Sequence, residues 1–408
     1  MVAGVVIVGG GQGGFQLAAS LRDEGYLEPV TIVCDEPVPP YQRPPLSKSY
    51  LLGTTTAERL QLRPQTFYQA QKIELITGER VTEIDRHGCQ VRMSSGNTLG
   101  YDHLVLATGG RNRTIQLQGA ALDGVCYLRT LAEADAIAQR IGAAKSVVVV
   151  GAGFIGLELA AVCSKLGKTV HVVESMQRCM SRAVTTTISS FYEKQHAEWG
   201  VSILLNTALE SIAGEGGQVR SARTMDGQTL PADIVIVGVG VEPNDELARA
   251  SGLPTDRGVV VDRFLLTNDE NISAIGDCAL FPTADDSRLV RLESVQNATD
   301  QARCVAKRLV GRATPYVAVP WFWSDQRDIK LQMVGLTAGC DRTVVRGDTN
   351  DGNFSVFCFR RNRLIAVESI NRPADHMFGR RLLTAGRSIT QEQAIDFRFD
   401  LKSALASP

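Results

Sequence analysis

Two short glycine runs, each framed by apolar, β-branched stretches and followed by an acid, are the first residues of this 408-residue chain with a chemical task. The first, Gly9-Gly10-Gly11-Gln12-Gly13-Gly14, satisfies G-x-G-x-x-G through Gly9, Gly11 and Gly14. Glycines in that pattern permit a tight turn and let a pyrophosphate approach main-chain N–H groups at the start of a helix. An acid at the end of the next strand can hold a ribose hydroxyl, and Asp35-Glu36 stand there. The second run, Gly151-Ala152-Gly153-Phe154-Ile155-Gly156, is followed by Glu174 at the spacing of a nucleotide-binding βαβ unit. Glu174 would accept from the ribose of NADH and repel the extra phosphate of NADPH. Arg178 and Arg182 lie just beyond it, either softening that exclusion or serving as ordinary helix-face charges.

Each glycine turn needs a strand, a helix and a second strand to hold it. The pattern predicts a strand over residues 4–8, a helix over 15–25 with Leu17, Ala18 and Leu21 at helical spacing, and a strand over 30–34. The second set is a strand over 146–150, a helix over 157–166 and a strand over 169–173. Behind each follows a small antiparallel hairpin that feeds back into a parallel strand, one ending in Ala107-Thr108-Gly109 and the other near Gly238. The chain thus carries two copies of one architecture, which calls for two dinucleotides. After about residue 315 the pattern changes to strands at 330–336, 342–346, 354–359 and 364–370, then helices at 373–383 and from 391 onward, an α+β arrangement.

Composition narrows the class. With 43 basic and 44 acidic residues, no global charge favours nucleic acid or an anionic membrane. Nine scattered cysteines include no C-x-x-C or C-x-x-x-x-C pair and no zinc spacing, which reads as reduced thiols and no metal site. Met-Val-Ala-Gly leads straight into a strand, and no apolar run reaches the roughly 18 residues of a membrane span. A soluble cytoplasmic protein is expected.

The residues around Ala107-Thr108-Gly109 and Ala274-Ile275-Gly276-Asp277 resemble the two-dinucleotide flavoproteins with a glutathione-reductase-like fold. Pro40-Tyr41-Gln42-Arg43-Pro44-Pro45-Leu46-Ser47-Lys48, Leu292-Glu293-Ser294-Val295-Gln296-Asn297-Ala298, Pro320-Trp321-Phe322-Trp323-Ser324-Asp325-Gln326 and Asn371-Arg372-Pro373 are similar to segments of the ferredoxin reductases of bacterial cytochrome P450 and dioxygenase systems. The resemblance runs over nearly the whole chain. It implies an α/β fold with two Rossmann-like domains and an α+β C-terminal domain. The segments would be 1–113 and 237–316 for FAD, 114–236 for NAD, and 317–408 at the end.

For the site, the resemblance matches Gly13, Asp35, Lys48, Val81, Arg129, Asp277 and Val295 to flavin-contacting positions. Glu36 is the alternative ribose acid and Arg43 a pyrophosphate cation. Trp323 would lie near the flavin ring, with Trp321 more a core residue. Lys48 of the flavin part and Glu158 of the second glycine helix would meet as a buried pair that orients the nicotinamide ring. Gly240 joins the NAD set. The implied activity is NADH oxidation through FAD, with single electrons passed to a [2Fe–2S] ferredoxin, an acidic partner, by a monomer or homodimer. Arg303, Lys307 and Arg308 form a docking patch for it or a plain solvated helix face. An NADH oxidase, a rubredoxin or monodehydroascorbate reductase, and a flavin-bearing redox sensor remain alternatives on the same fold.

Overall fold

The structure, a computed structural model, describes residues 3–283 and 288–406, so Met1 and Val2, on which the reading of the amino terminus partly rests, lie outside it. The chain divides into two compact units. One combines residues up to Gln42 with Ala57–Arg111 and Val241–Ala318; the other combines Arg43–Thr56 and Asn112–Gly240 with residues from Val319 onward.

The first unit is built on a parallel sheet in the order Ile272–Ala274, His103–Leu106, Val5–Val8, Val30–Cys34, Ile73–Thr77. Val5–Val8 is buried along its whole length, as a central strand covered on both faces must be. The first glycine helix, Gln12–Asp23, buries Leu17, Ala18 and Leu21 against it and lies alongside the helix Val295–Leu309. The hairpin Val81–Asp85, Gln90–Met93, Thr98–Gly100 leads into His103–Leu106.

In the second unit the plan repeats: Val201–Leu204, Thr169–Val173, Ser146–Val150, Ile234–Val237 and Val125–Tyr127 form a parallel sheet. The second glycine helix is Phe154–Lys165, and the helix Thr186–Glu198 follows Thr169–Val173. The same unit holds an antiparallel five-stranded sheet ordered Trp321–Gln326, Ile329–Gly335, Arg363–Ile370, Asn353–Arg360, Arg342–Asp348. The helix Pro373–Thr384 packs Phe378 and Leu382 on it, giving the α+β end.

Both glycine helices begin three residues earlier than apolar spacing indicates, at Gln12 and Phe154. Glycine is a weak helix former, so a pattern search stops short of it. Here Gly14 and Gly156 sit in the first turn because a methyl group at either would collide with the carbonyl oxygen of Gly9 or Gly151. No helix among the described residues is long and apolar enough to cross a membrane.

Candidate functional site

In the first unit the glycine turn is made by steric necessity. Gly9 has φ +120°, and a Cβ there would strike the Ala107 carbonyl. Gly11 is the N-cap of the helix and a Cβ there would meet nothing within 4 Å, so the side-chain position at the helix start is open. Gly13 is buried beside Ile275 and Ala298. Asp35 is exposed and pairs with Arg80 at 3.1 Å, while Glu36 accepts from the Tyr41 hydroxyl at 2.6 Å. Thr108 and Gly109 are clasped by Asn244: its Nδ2 donates to the Thr108 carbonyl at 2.9 Å, its N–H donates to Gly109, and Thr108 Oγ1 donates back at 2.6 Å.

Gly276, at φ +76°, donates its N–H to Gln301 Oε1 at 2.7 Å and sets Asp277 half-buried beside it. The Asp277 carbonyl accepts from Arg291 at 3.0 Å. Val81 opens the hairpin, buried. Val295 opens its helix at N1, behind an N-cap Ser294 whose Oγ accepts from the Asn297 N–H at 3.0 Å. A helix N1 amide has no partner within its own helix, so Val295 has a main-chain donor to offer. Neither Asn244 nor Gln301 carries a spacing signal, and sequence reading passes over both.

In the second unit Gly151, at φ +100°, faces the Gly238 carbonyl, and the N-cap Gly153 opens onto free space. The Glu174 carboxylate is bound to the turn itself: Oε2 accepts from the Ala152 N–H at 2.7 Å and Oε1 from the Met176 N–H at 2.8 Å. Arg178 is spent on the neighbouring loop, donating to the Val184 and Ser181 carbonyls and to Ser189 Oγ, whereas Arg182 is exposed. Ile155 is exposed, and Gly240 stands exposed at φ +105°. Arg43 donates to the Arg129 carbonyl at 2.7 Å, and the Arg129 N–H donates to Glu133.

Lys48 and Glu158 meet in this second unit. Pro44–Ser47 forms a 3-10 turn, started by two prolines whose φ suits it, and that turn rests on the second glycine helix. Lys48 Nζ lies 2.6 Å from Glu158 Oε2, with the lysine partly exposed and the carboxylate 2% exposed. Ser47 Oγ donates to the same oxygen at 2.5 Å and Ser324 Oγ to Oε1 at 2.7 Å. A carboxylate so far out of water needs its charge matched and its lone pairs filled, and these three donors do both. Neither serine is singled out for chemistry by sequence, since a lone hydroxyl leaves no periodic trace.

The Phe322 ring packs against Phe154 at a 43° tilt with centroids 4.7 Å apart, and Trp323 stands 6.3 Å from Phe322. Trp321 is half-buried and packs on the core between the antiparallel sheet and the helix Pro373–Thr384, as a core role requires; its ring is 5.5 Å from Trp323 and lies under the Arg380 guanidinium at 4.6 Å. In the first unit Arg303 and Lys307 are exposed, but Arg308 turns inward to His103 and Ser273, which removes it from any docking patch.

Residues 3–302 match the family model for pyridine nucleotide-disulphide oxidoreductase, and 321–405 that for the reductase C-terminal domain. The chain belongs to the pyridine nucleotide-disulphide oxidoreductase family. It is 50% identical to rhodocoxin reductase of Rhodococcus erythropolis over 402 residues, covering 98% of this chain and 94% of that protein. Its fold matches the ferredoxin reductase for the CYP199A2 system from Rhodopseudomonas palustris with TM-score 0.97 and 51% identity, over 98% of this chain and 99% of that one. It matches the reductase of a covalent putidaredoxin reductase–putidaredoxin complex with TM-score 0.96 and 41% identity, over 99% and 98%. FAD and NAD(H) are the cofactors of this family, and the residues present fit them: two helix starts are left open by Gly11 and Gly153, each with acids at the end of the following strand.

Proposed function

We propose that the chain is an NADH:ferredoxin oxidoreductase of the cytoplasm, serving a cytochrome P450 or ring-hydroxylating dioxygenase through a small [2Fe–2S] ferredoxin. Support for the acceptor comes from its relatives' substrates and from its own cysteines. The disulphide chemistry of the wider family needs a dithiol, whereas all nine thiols here are free and no C-x-x-x-x-C pair exists. When bound, FAD takes a hydride from NADH and gives up electrons singly, which suits a one-electron acceptor.

In this reading residues 1–113 and 237–316 form the flavin domain, 114–236 the NAD domain and 317–408 the C-terminal domain. The chain's own residues divide the work. Gly9, Gly11, Gly13 and Gly14 leave room for the flavin pyrophosphate, with Arg43 as its cation. Asp35 and Glu36 take the adenosine ribose. Val81, Ala107, Thr108, Gly109 and Arg129 line the cofactor, Asp277 holds the ribityl chain, and the Val295 N–H faces the ring's pyrimidine edge. Gly151, Gly153, Phe154, Ile155, Gly156, Glu174, Arg182 and Gly240 receive NADH. Lys48 and Glu158 orient the nicotinamide, since hydride transfer needs alignment more than a proton, and Trp323 shields the ring from water.

The observation that carries this reading is the Lys48–Glu158 pair: an ion pair 2.6 Å long, seated on the helix that starts at the second glycine turn, with the carboxylate buried. The experiment is an anaerobic mixing of the yellow holoprotein with NADH, followed by cytochrome c reduction with and without an added [2Fe–2S] ferredoxin. Bleaching by NADH and strict dependence on the ferredoxin are expected, with a rate that falls as salt rises while ferricyanide reduction does not change. Rapid cytochrome c reduction without ferredoxin would overturn the assignment of the acceptor.

A further inference from the structure

Phe322, Ser324 and Gln326 alternate along one face of the strand Trp321–Gln326, and each meets a helix of the same unit. Phe322 packs against Phe154, Ser324 reaches Glu158, and Gln326 reaches His196 of the helix Thr186–Glu198. Phe154 and Glu158 are one turn apart, so the two-residue step of the strand and the four-residue step of the helix agree at roughly 6–7 Å. Ser324, Gln326, His196 and Glu158 are all at most 2% exposed.

The direction of each hydrogen bond follows from the carboxylate, which can only accept. Ser324 therefore spends its single proton on Glu158 Oε1 at 2.7 Å. Its lone pair takes Gln326 Nε2 at 3.4 Å, which turns Gln326 Oε1 toward His196. His196 Nε2, 2.7 Å from that oxygen, must then carry the ring proton. Nδ1 is buried without a hydrogen-bond partner, where a bare acceptor costs less than a bare N–H.

We propose that His196, Gln326 and Ser324 are positioning residues for hydride transfer: imidazole to amide to hydroxyl, they form a one-way hydrogen-bond chain that locks the Glu158 carboxylate for Lys48. The inference rests on the assignment of Lys48 and Glu158 given above. Every dipole in the chain points its positive end at the carboxylate, in surroundings where each bond strengthens the next. Burial, aided by the Arg327 charge and opposed by the Gln326 hydrogen bond, lowers His196 to about 4, so the ring stays a neutral donor. Without Ser324, Oε1 is a buried acceptor with no donor, and the carboxylate is free to swing wholly onto Lys48.

The test uses the holoenzyme labelled with 15N-histidine, with the His196 signal identified by its loss in His196→Gln. The ring is expected as the neutral Nε2–H tautomer between pH 5.5 and 8, and its shift moves in Ser324→Ala. In anaerobic stopped-flow with NADH, Ser324→Ala should lower the limiting rate of flavin reduction about tenfold while the half-saturating NADH moves less than about threefold. Ser324→Thr, which keeps the hydroxyl, should recover the rate, and Gln326→Leu should reduce it partway. An Nδ1–H or charged ring overturns the proposal, as do wild-type limiting rates in both Ser324→Ala and Gln326→Leu. Lys48→Ala separates the two levels: if it slows reduction while the chain variants do not, only the chain is wrong. If Lys48→Ala is itself as fast as wild type, the assignment falls and the chain with it.

Discussion

At the scale of single residues, we propose that Glu174 serves two ends at once. Its carboxylate closes the second glycine turn by accepting from Ala152 and Met176, and the same charge is what a 2′-phosphate would meet. Glu174→Gln keeps the length and loses the charge, so discrimination against NADPH should fall by about tenfold in kcat/KM, on the order of 1.4 kcal/mol. An unchanged ratio would remove Glu174 from specificity. Gly10 carries a different constraint. The G-x-G-x-x-G spacing assigns it no role, yet a methyl there would collide with Cys34 Sγ and stand 3.0 Å from its Cβ. Gly10→Ala should cost about 1–3 kcal/mol in denaturant unfolding, and Cys34→Ala in the same chain should return part of it; strictly additive costs would mean the two do not touch. The glycines that make a turn were legible because a repeated spacing betrays them. Gly10, Ser47, Ser324 and Asn244 were not, because each answers to one neighbour far away in sequence.

At the scale of elements, the strands announced themselves by β-branched runs, and most observed bounds fall within one or two residues of the apolar pattern. Elements joined end to end by a side chain were invisible. The helix Thr186–Glu198 is the example: its N-cap Thr185 makes no side-chain cap of its own. Instead Glu368, from the strand Arg363–Ile370, accepts from the Thr185 N–H and, at 2.6 Å, from its hydroxyl. Burial pushes the Glu368 carboxyl up to about 7 against the pull of those bonds and of Arg178. The folded chain therefore holds a proton there that the unfolded chain, with its ordinary carboxylate, releases above about pH 4.5. Its contribution is complete at low pH and is lost as pH rises through about 7. Glu368→Gln should thus gain on the wild type as pH climbs from 5 to 8, by roughly 2–3 kcal/mol at the top. A difference between the two melting temperatures that does not change with pH would refute the buried, protonated carboxyl.

At the scale of the whole molecule, four of the five histidines work in the opposite sense: burial lowers half-buried His171, and it lowers three others further. His103 of the first unit is held between Ser273 and Arg308, and burial, with the Arg308 charge, lowers it to about 3. His196 and His376 of the second unit are lowered by burial to about 4. Each is neutral in the folded chain and gains a proton on unfolding below its ordinary value near 6.5, so the stability it contributes is present above that pH and is lost as pH falls toward 4. Between pH 6 and 4.5 these last three together should draw about two and a half protons on unfolding, a loss of roughly 3.5 kcal/mol per pH step. Glu368 offsets part of this by releasing its proton over the same range. Proton uptake measured on guanidinium unfolding of the holoprotein at pH 5 separates the contributions. His103→Gln should lower the uptake by about one proton, and Glu368→Gln should raise it by somewhat less than one. Equal uptake by wild type and His103→Gln would mean that His103 is already charged in the fold and accepts no hydrogen bond from the Arg308 guanidinium.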